Sequence, residues 1–465
     1  MTSVPGLLIA ASVALYALLS ARAAAAAISG PMVFVAVGVA LGPPGLGWIS
    51  PVRDAQTVET LLETALVLVL FADAAALRFG GLRRGRFLPL RLLAIGLPLT
   101  LALGTLAAWP LLPGLGFWEL ALVGTVLAPT DASLSRPAIA EPRVPPLVRQ
   151  GLNAESGLND GLAVPFFVIF LAAAAGSGQH GESPGVGEVF VRALLLSTVC
   201  GAVLGLLGGF GLARSLRRRW TGAEWVGIVP AAAALASFAA ADALHGSGFI
   251  AAWVAGLAFA AAYRKGAREP VREAPAAHRA LPRVGEVAGL TDQLGALATM
   301  LSFFAFGAVL LGPALEELTW RMTVYAVLSL TVVRMLPVAL SLLRSGLARP
   351  TVAYLAWFGP RGLASLVLGL LVVHEELPGG GQVSAVVAVT VGLSVLAHGV
   401  SAGWLAARYG RWYAGAAARA PGAALRESVL PEDEEGEGRP GPERPGPEQP
   451  ESEGPEPEHP SSGQP

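Results

Sequence analysis

Two stretches of the chain place acidic and polar oxygens among apolar residues. In the second of them, NAESGLNDGLAVPFF, Glu155 and Asn159 share one helical face at the i,i+4 spacing, as do Ser156 and Asp160. Carboxylate, hydroxyl and amide oxygens therefore converge within two turns of a helix. Because a hard cation binds oxygen ligands, this pattern predicts a site that exchanges protons and monovalent metal ions.

Glu155 and Asp160 lie where solvation is poor, and two unpaired anions there would be costly. We expect one carboxylate to pair with a cation of the protein and the other to remain available for exchange. Arg334 and Arg361, which also lie within apolar runs, are the candidate partners. A purely structural buried ion pair is the alternative interpretation of this cluster.

The first stretch reads VGTVLAPTDASLSRPAIA, where Thr130, Asp131 and Ser133 lie between Pro129 and Pro137. Proline removes backbone donors, and an interrupted membrane helix leaves free carbonyls and helix ends that can bind ions. The alternative is a kinked packing helix in which Asp131 caps the second half. Both interpretations are compatible, because Asp131 can neutralise a helix N-terminus within an ion site.

A second interruption lies in WFGPRGLASLVLGLL, at residues 359–362. Two broken helices at corresponding positions of two halves are typical of transporters built from inverted repeats. Spans one to six would then match spans eight to thirteen, with the seventh span as connector.

The elements that must position these residues are membrane helices. The chain has 465 residues, of which 54% are hydrophobic and 14% charged, too few charges for a soluble protein of this length. Apolar runs of roughly twenty residues match the hydrocarbon thickness of a bilayer. About thirteen spans can be drawn, at 4–24, 27–42, 58–78, 88–112, 117–140, 153–175, 186–213, 221–243, 247–263, 290–311, 318–343, 350–373 and 382–407.

The distribution of basic residues gives these spans an orientation. Between spans, the even-numbered connections contain Arg53 alone, whereas the odd-numbered ones and the C-terminal exit are rich in basic residues. The positive-inside rule therefore predicts an outside N-terminus and a cytoplasmic C-terminus. The basic residues on the predicted cytoplasmic side are Arg78, Arg83, Arg84, Arg86, Arg143, Arg149, Arg214, Arg217, Arg218, Arg219, Arg264, Lys265, Arg268, Arg272, Arg279, Arg283, Arg344, Arg349, Arg408 and Arg411.

Outside the spans, the sequence predicts little further structure. Residues 1–410 are expected to form the membrane domain and 411–465 a cytoplasmic tail, disordered from about 431 because it is rich in proline, glutamate and glycine. A net charge of −1 gives no field for binding nucleic acid. Metal-binding Cys/His spacing, catalytic triads and cofactor-binding glycine loops are lacking, so we expect neither a cofactor nor an enzyme.

The segments APTDASL, ESGLNDG, GSGFIAAWVAGL, VVRMLPV and FGPRGLASL occur in this order. In this the chain resembles the cation:proton antiporter family, which includes NhaP-type bacterial sodium/proton antiporters and eukaryotic sodium/proton exchangers. The resemblance implies an all-α polytopic NhaA/NhaP-like fold with two broken, crossing helices. It also implies a core around spans 4–6 and 11–13, a scaffold from the remaining spans, a homodimer and a place in the cell membrane.

The resemblance also implies roles for individual residues. Asp160 matches the carboxylate for which the cation and the proton compete. Asn159 stands where electrogenic relatives have a second aspartate, which implies electroneutral exchange of one cation for one proton. Many relatives have proline where this chain has Ala132. The remaining matches are Thr130, Asp131 and Ser156 in the ion site, Asp73 lining its cavity, Glu155 as the partner of Arg334, and Arg361 as a stabiliser of the broken helices.

The expected function is therefore exchange of Na⁺, or of Li⁺, for H⁺ by alternating access at Asp160. Exchange of K⁺ for H⁺ is an alternative, because oxygen ligands alone do not decide the size of the ion. A passive cation channel is a further alternative, since it would also use buried carboxylates and broken helices.

Overall fold

The computed structural model describes residues 3–26, 28–49, 55–77, 87–176, 186–268 and 281–419, and every regular element within these ranges is helical. This confirms the predicted all-α class. Helices are the expected answer to a lipid solvent, because each one satisfies its backbone hydrogen bonds internally.

We number the principal helices in chain order. Short helices at Ala223–Trp225 and Val284–Val287 precede α9 and α11. The principal helices are α1 Ser3–Ala25, α2 Gly30–Leu41, α3 Ala55–Ala76, α4 Phe87–Leu111, α5 Phe117–Val126, α6 Ala132–Ala140, α7 Pro146–Gly176, α8 Val186–Arg217, α9 Ile228–Ala243, α10 Gly248–Arg268, α11 Gly289–Glu316, α12 Trp320–Ser341, α13 Arg349–Trp357, α14 Leu363–His374 and α15 Gly380–Arg419.

Each predicted span coincides with one helix or with an interrupted pair of helices. Within the described ranges, seven helices are long and apolar enough to cross a membrane, and four shorter apolar helices accompany them. The protein is thus a multi-pass membrane protein. The number of crossings, the orientation and the inverted repeat stay predictions.

The two predicted interruptions are present. Helix α5 ends at Val126 and α6 begins at Ala132, while α13 ends at Trp357 and α14 begins at Leu363. Helices α6 and α14 both pack against α15, and α5 packs against α7. The two interruptions therefore lie in one bundle that also contains the acidic α7.

A second group of helices borders this bundle. Helix α3 packs against α10 and α11, and α2 also packs against α11. Since α3 additionally contacts α7 and α14, it forms the boundary between the two groups. Any cavity that reaches α7 from this boundary is lined by residues of both.

The last described helix extends slightly beyond the predicted end of the membrane domain. Helix α15 continues to Arg419, beyond the predicted end of the membrane domain at 410. Residues 420–465, which include the predicted disordered tail, lie outside the described residues, as do 78–86 and 269–280 with the basic residues they contain.

Candidate ion site at the crossing of two broken helices

Asp131 caps two helix N-termini at once. It is the N-cap residue of α6, where its Oδ1 accepts from the backbone N–H of Ser133 at 2.7 Å and also contacts the Ser133 hydroxyl. Its Oδ2 accepts from the backbone N–H of Leu363, the first residue of α14, at 2.9 Å. One negative charge therefore balances the positive ends of two helix dipoles.

The two interruptions cross in direct contact. The backbone N–H of Asp131 donates to the carbonyl of Pro360 at 2.9 Å. At Gly362 a Cβ atom would overlap the Asp131 carboxylate, and at Gly359 it would overlap the Arg334 guanidinium. Glycine at both positions therefore leaves room for these two side chains, which would have to shift if a larger residue were present.

The two helices that end at the interruptions, α5 and α13, also have polar partners near their C-terminal ends. Arg361 is fully buried, and its Nη1 donates to the carbonyls of Ala128 at 2.6 Å and Pro129 at 3.0 Å, beyond the end of α5. The carbonyl of Trp357, the last residue of α13, lies 3.1 Å from Nε2 of His398. Each interruption therefore has a capped helix N-terminus on one side and a carbonyl with a polar partner on the other.

Helix α15 holds the second interruption through two polar side chains. The Ser394 hydroxyl accepts from the backbone N–H of Arg361 at 2.7 Å and lies 3.3 Å from Nδ1 of His398. Nδ1 of His398 also lies 3.1 Å from the backbone carbonyl oxygen of Ser394, so both ring nitrogens contact hydrogen-bonding groups of the chain. Both side chains are almost fully buried.

Three polar side chains join the first interruption to α7. The Thr130 and Ser156 hydroxyls lie 3.1 Å apart, and the Asn159 amide nitrogen donates to the Thr130 hydroxyl at 2.6 Å. All three are at least 96% buried. The Asn159 amide oxygen is buried without a hydrogen-bond partner among the described residues, so it presents a free acceptor in this cluster.

The two acids of α7 differ sharply in their environments. Glu155 forms a bidentate ion pair with Arg334, with Nη1–Oε1 and Nη2–Oε2 distances of 2.5 and 2.9 Å. Asp160 is 7% exposed, and its Oδ1 has no hydrogen-bond partner within the described part of the chain. Asp160 is therefore the carboxylate that is left available to an external proton or cation.

Asp160 is reached through two adjoining cavities. The inner cavity, of about 70 Å³, is bordered by Asp160, Asp131 and Asp73. The access cavity, of about 450 Å³, shares Asp73 with it and extends to Ala76, Ala140 and Val284 near helix ends. The two cavities also share Arg136 and Asp292 in their walls.

The structure brings together the residues singled out in the sequence. Asp73 on α3 lines both cavities and packs against α7 at Gly157. Among the described residues, no group of three or more His, Cys, Asp or Glu side chains could hold a resident metal ion. The residues at the crossing are Thr130, Asp131, Glu155, Ser156, Asn159, Asp160, Arg334 and Arg361.

Three residues of this region were not singled out from the sequence. Ser394 and His398 support the second interruption, while Arg136 lines both cavities. Asp292, which the sequence indicated only as a residue near a helix end that faces water or caps a helix, lines both cavities as well. Arg136 lies within the fifth predicted span, so the criterion of charge inside a span was sufficient to find it. His398, a polar residue inside the last span, gives a weaker signal of the same kind.

Comparison with known proteins agrees with this architecture. A family model described as sodium/hydrogen exchanger, transmembrane, matches residues 8–408. The Na⁺/H⁺ antiporter 2 of Zygosaccharomyces rouxii is 28% identical over 193 residues, covering 40% of this chain and 24% of the relative. The K⁺/H⁺ antiporter NhaP2 of Shewanella oneidensis is 26% identical over 373 residues, covering 80% of this chain and 61% of the relative. The chain thus spans less than two thirds of either relative.

Among solved structures, the sodium proton antiporter MjNhaP1 from Methanocaldococcus jannaschii, at pH 8, superposes with a TM-score of 0.69. The match covers 87% of this chain and 98% of that one, at 22% sequence identity. At this identity the likeness shows a shared fold.

Proposed function

Because the chain belongs to the sodium/hydrogen exchanger family, we propose that it is a secondary transporter that exchanges Na⁺ for H⁺ across a membrane. The observation that carries the proposal is the unpaired carboxylate of Asp160 at the inner end of the cavities. Its neighbour Glu155 has Arg334 as a counter-ion, whereas Asp160 borders the inner cavity. A carboxylate in this situation binds either a proton or a cation.

The cation site would use the oxygens around Asp160. Thr130, Asp131 and Ser156 provide hydroxyl and carboxylate oxygens, and the Asn159 amide oxygen has no other described partner. Oxygen ligands of this kind suit Na⁺ and Li⁺. Since a bound proton removes the negative charge of Asp160, proton and cation binding exclude one another.

Exchange would proceed by alternating access of this one site. Asp160 releases a proton and binds a cation while the site faces one side, and does the reverse after the site has reopened to the other side. The helices around the crossing would move as a core against α3, α10 and α11. The family resemblance, with Asn159 where electrogenic relatives have a second aspartate, implies exchange of one cation for one proton, which is electroneutral.

The proposed orientation puts the access cavity on the cytoplasmic side. The cavity extends to Ala76, Ala140 and Val284, which adjoin basic connections of the chain. By the positive-inside rule these connections are cytoplasmic, with the N-terminus outside. We place the protein in the cell membrane as a homodimer, surrounded by lipid, because the family resemblance implies both.

The test is proton flux in proteoliposomes loaded with a pH-sensitive dye. Adding Na⁺ or Li⁺ to wild-type vesicles should move protons, whereas choline should not. Asp160→Asn should abolish this response, because the amide can neither release a proton nor balance a cation. Size-exclusion chromatography in detergent should show that the variant is folded. Cation-dependent proton flux retained by folded Asp160→Asn would overturn the assignment.

Exchange of K⁺ is the second candidate, since one of the relatives is named as a K⁺/H⁺ antiporter. The same vesicles titrated with K⁺ decide between the two, because selective transport of Na⁺ gives no response to K⁺. Proton flux without a countermoving cation would instead indicate a passive channel.

A further inference from the structure

The cavities that lead to Asp160 contain a positive side chain for which proton and cation exchange has no need. Arg136 lies on α6, one turn and a residue beyond Asp131, and it borders both the inner and the access cavity. Its side chain is exposed and forms no hydrogen bond or ion pair to another described residue. A guanidinium with no hydrogen-bond partner in the described part of the chain therefore borders both cavities.

Two carboxylates face the same space from the opposite group of helices. Asp73 belongs to α3 and Asp292 to the first turn of α11, and both border the two cavities together with Arg136. Asp73 lies within electrostatic range of both Asp292 and Arg136. Asp160, whose buried Oδ1 has no hydrogen-bond partner among the described residues, also lines the inner cavity.

We propose that Arg136 is a tethered competitor of the transported cation, and that Asp292 joins Asp73 in attracting the cation into the cavities. The proposal rests on the exchange function described above. Among the described residues, Arg136 is the positive side chain that borders both cavities together with these two carboxylates. An incoming cation must compete with this guanidinium for the two carboxylates before it reaches Asp160. The competition raises the cation concentration needed for half-maximal exchange.

The two charges have opposite expected effects on transport. Removing the Arg136 charge leaves the carboxylates unopposed, so the local cation concentration rises and KM falls. Removing the Asp292 charge has the reverse effect. A unit charge acting through a solvated cavity of this size should change KM by about threefold to tenfold. Vmax should change little, because neither side chain is a ligand in the crossing itself.

Because the charges lie on different helices, the strength of the competition depends on the transport state. Arg136 is on α6, which packs against α7 and α15, whereas the two aspartates are on α3 and α11, which pack against each other. Movement of the core therefore changes the separation between the arginine and the aspartates. The competition acts in the state in which the access cavity is open and weakens as the cavity closes.

The experiment measures KM and Vmax for Na⁺ in proteoliposomes with Arg136→Gln, Arg136→Ala and Asp292→Asn. Arg136→Gln and Arg136→Ala should lower KM, and Asp292→Asn should raise it. Arg136→Lys, which keeps the positive charge, should have a KM close to that of the wild type. Added choline chloride should shrink all the differences, because salt screens charges in a solvated cavity. Arg143→Gln and Glu224→Gln, at positions that border neither cavity, should have no effect on KM.

The outcomes separate this inference from the proposed function. Wild-type vesicles without any exchange would overturn the function itself. Normal exchange with an unchanged KM in folded Arg136→Gln and Arg136→Ala would overturn the inference alone. A loss of Vmax at constant KM, or failure of both Arg136 variants to fold, would show that the arginine is structural and would equally overturn it.

Discussion

Replacing Glu155 with glutamine tests whether the buried ion pair stabilises the fold rather than taking part in exchange. The side chains of Arg334 and Glu155 are only 5% and 3% exposed, and the pair is bidentate. In Glu155→Gln the guanidinium of Arg334 stays buried, with its charge uncompensated. The crossing then loses stability because the buried charge cannot reach water.

The expected loss in the free energy of unfolding follows from the burial of the ion pair. Removing one partner of a buried pair costs about 3–5 kcal/mol, much of which is the penalty for the charge left behind. A double variant, Glu155→Gln with Arg334→Met, removes that charge as well. Its free energy of unfolding should therefore recover at least about half of the loss, because buried pairs replaced by neutral groups are often close to neutral.

The assay is chemical denaturation of the purified protein in detergent, followed by tryptophan fluorescence. The chain offers a matched control in the exposed pair of Arg143 and Glu141, with side chains 50% and 18% exposed and an Nε–Oε1 distance of 2.6 Å. Glu141→Gln should leave the midpoint unchanged, because surface ion pairs contribute little.

Two results would refute this account of the pair. One is an unfolding midpoint for Glu155→Gln as high as that of Glu141→Gln. The other is a double variant that loses as much stability as the two single variants added together, since this would mean that the side chains are not energetically coupled.

Three further predictions concern the crossing and the exchanged ions. Gly362→Ala should strongly reduce exchange and lower the free energy of unfolding by about 1–2 kcal/mol, since a Cβ would force Asp131 off the N-terminus of α14. The control is Gly403→Ala, which should change neither quantity because no atom lies within 4 Å of its added Cβ. Ser394→Ala should lower the free energy of unfolding, measured by chemical denaturation, by about 1–3 kcal/mol, because the buried N–H of Arg361 loses its acceptor. Ser302→Ala removes only a hydrogen bond to a carbonyl of its own helix and should lower it clearly less. Raising Na⁺ should move the acid limb of the exchange rate to lower pH, since the two ions compete for Asp160, and a limb independent of Na⁺ would contradict this competition.

The fold was largely predictable because lipid restricts the backbone to helices. Long apolar runs marked the helices, and the prolines and glycines near Asp131 and Arg361 marked both interruptions. The ends of helices were less predictable, since hydropathy reports the apolar stretch and not the cap. Helix α15, for example, continues through a mixed segment to Arg419.

Within the site, local chemistry indicated which groups were present but not which ones meet. Either Arg334 or Arg361 was a reasonable partner for an acid of α7, and only tertiary packing brings Arg334 to Glu155. The second cap made by Asp131 was likewise hidden, because its partner Leu363 lies 232 residues away in the chain. His398 was missed because a single histidine in an apolar run gives no indication of the carbonyl it will reach.

The polar contacts at the helix ends of both interruptions bear on ion selectivity. Asp131 caps the N-termini of α6 and α14, while Arg361 and His398 contact carbonyls at or just beyond the ends of α5 and α13. A change in the size of the site would therefore have to lengthen or break at least one of these hydrogen bonds. A site that resists such a change sorts ions by their radius, whereas a pliable one would accept Na⁺ and K⁺ alike. Substitutions that loosen a cap should accordingly broaden the range of ions that the protein carries before they stop transport altogether.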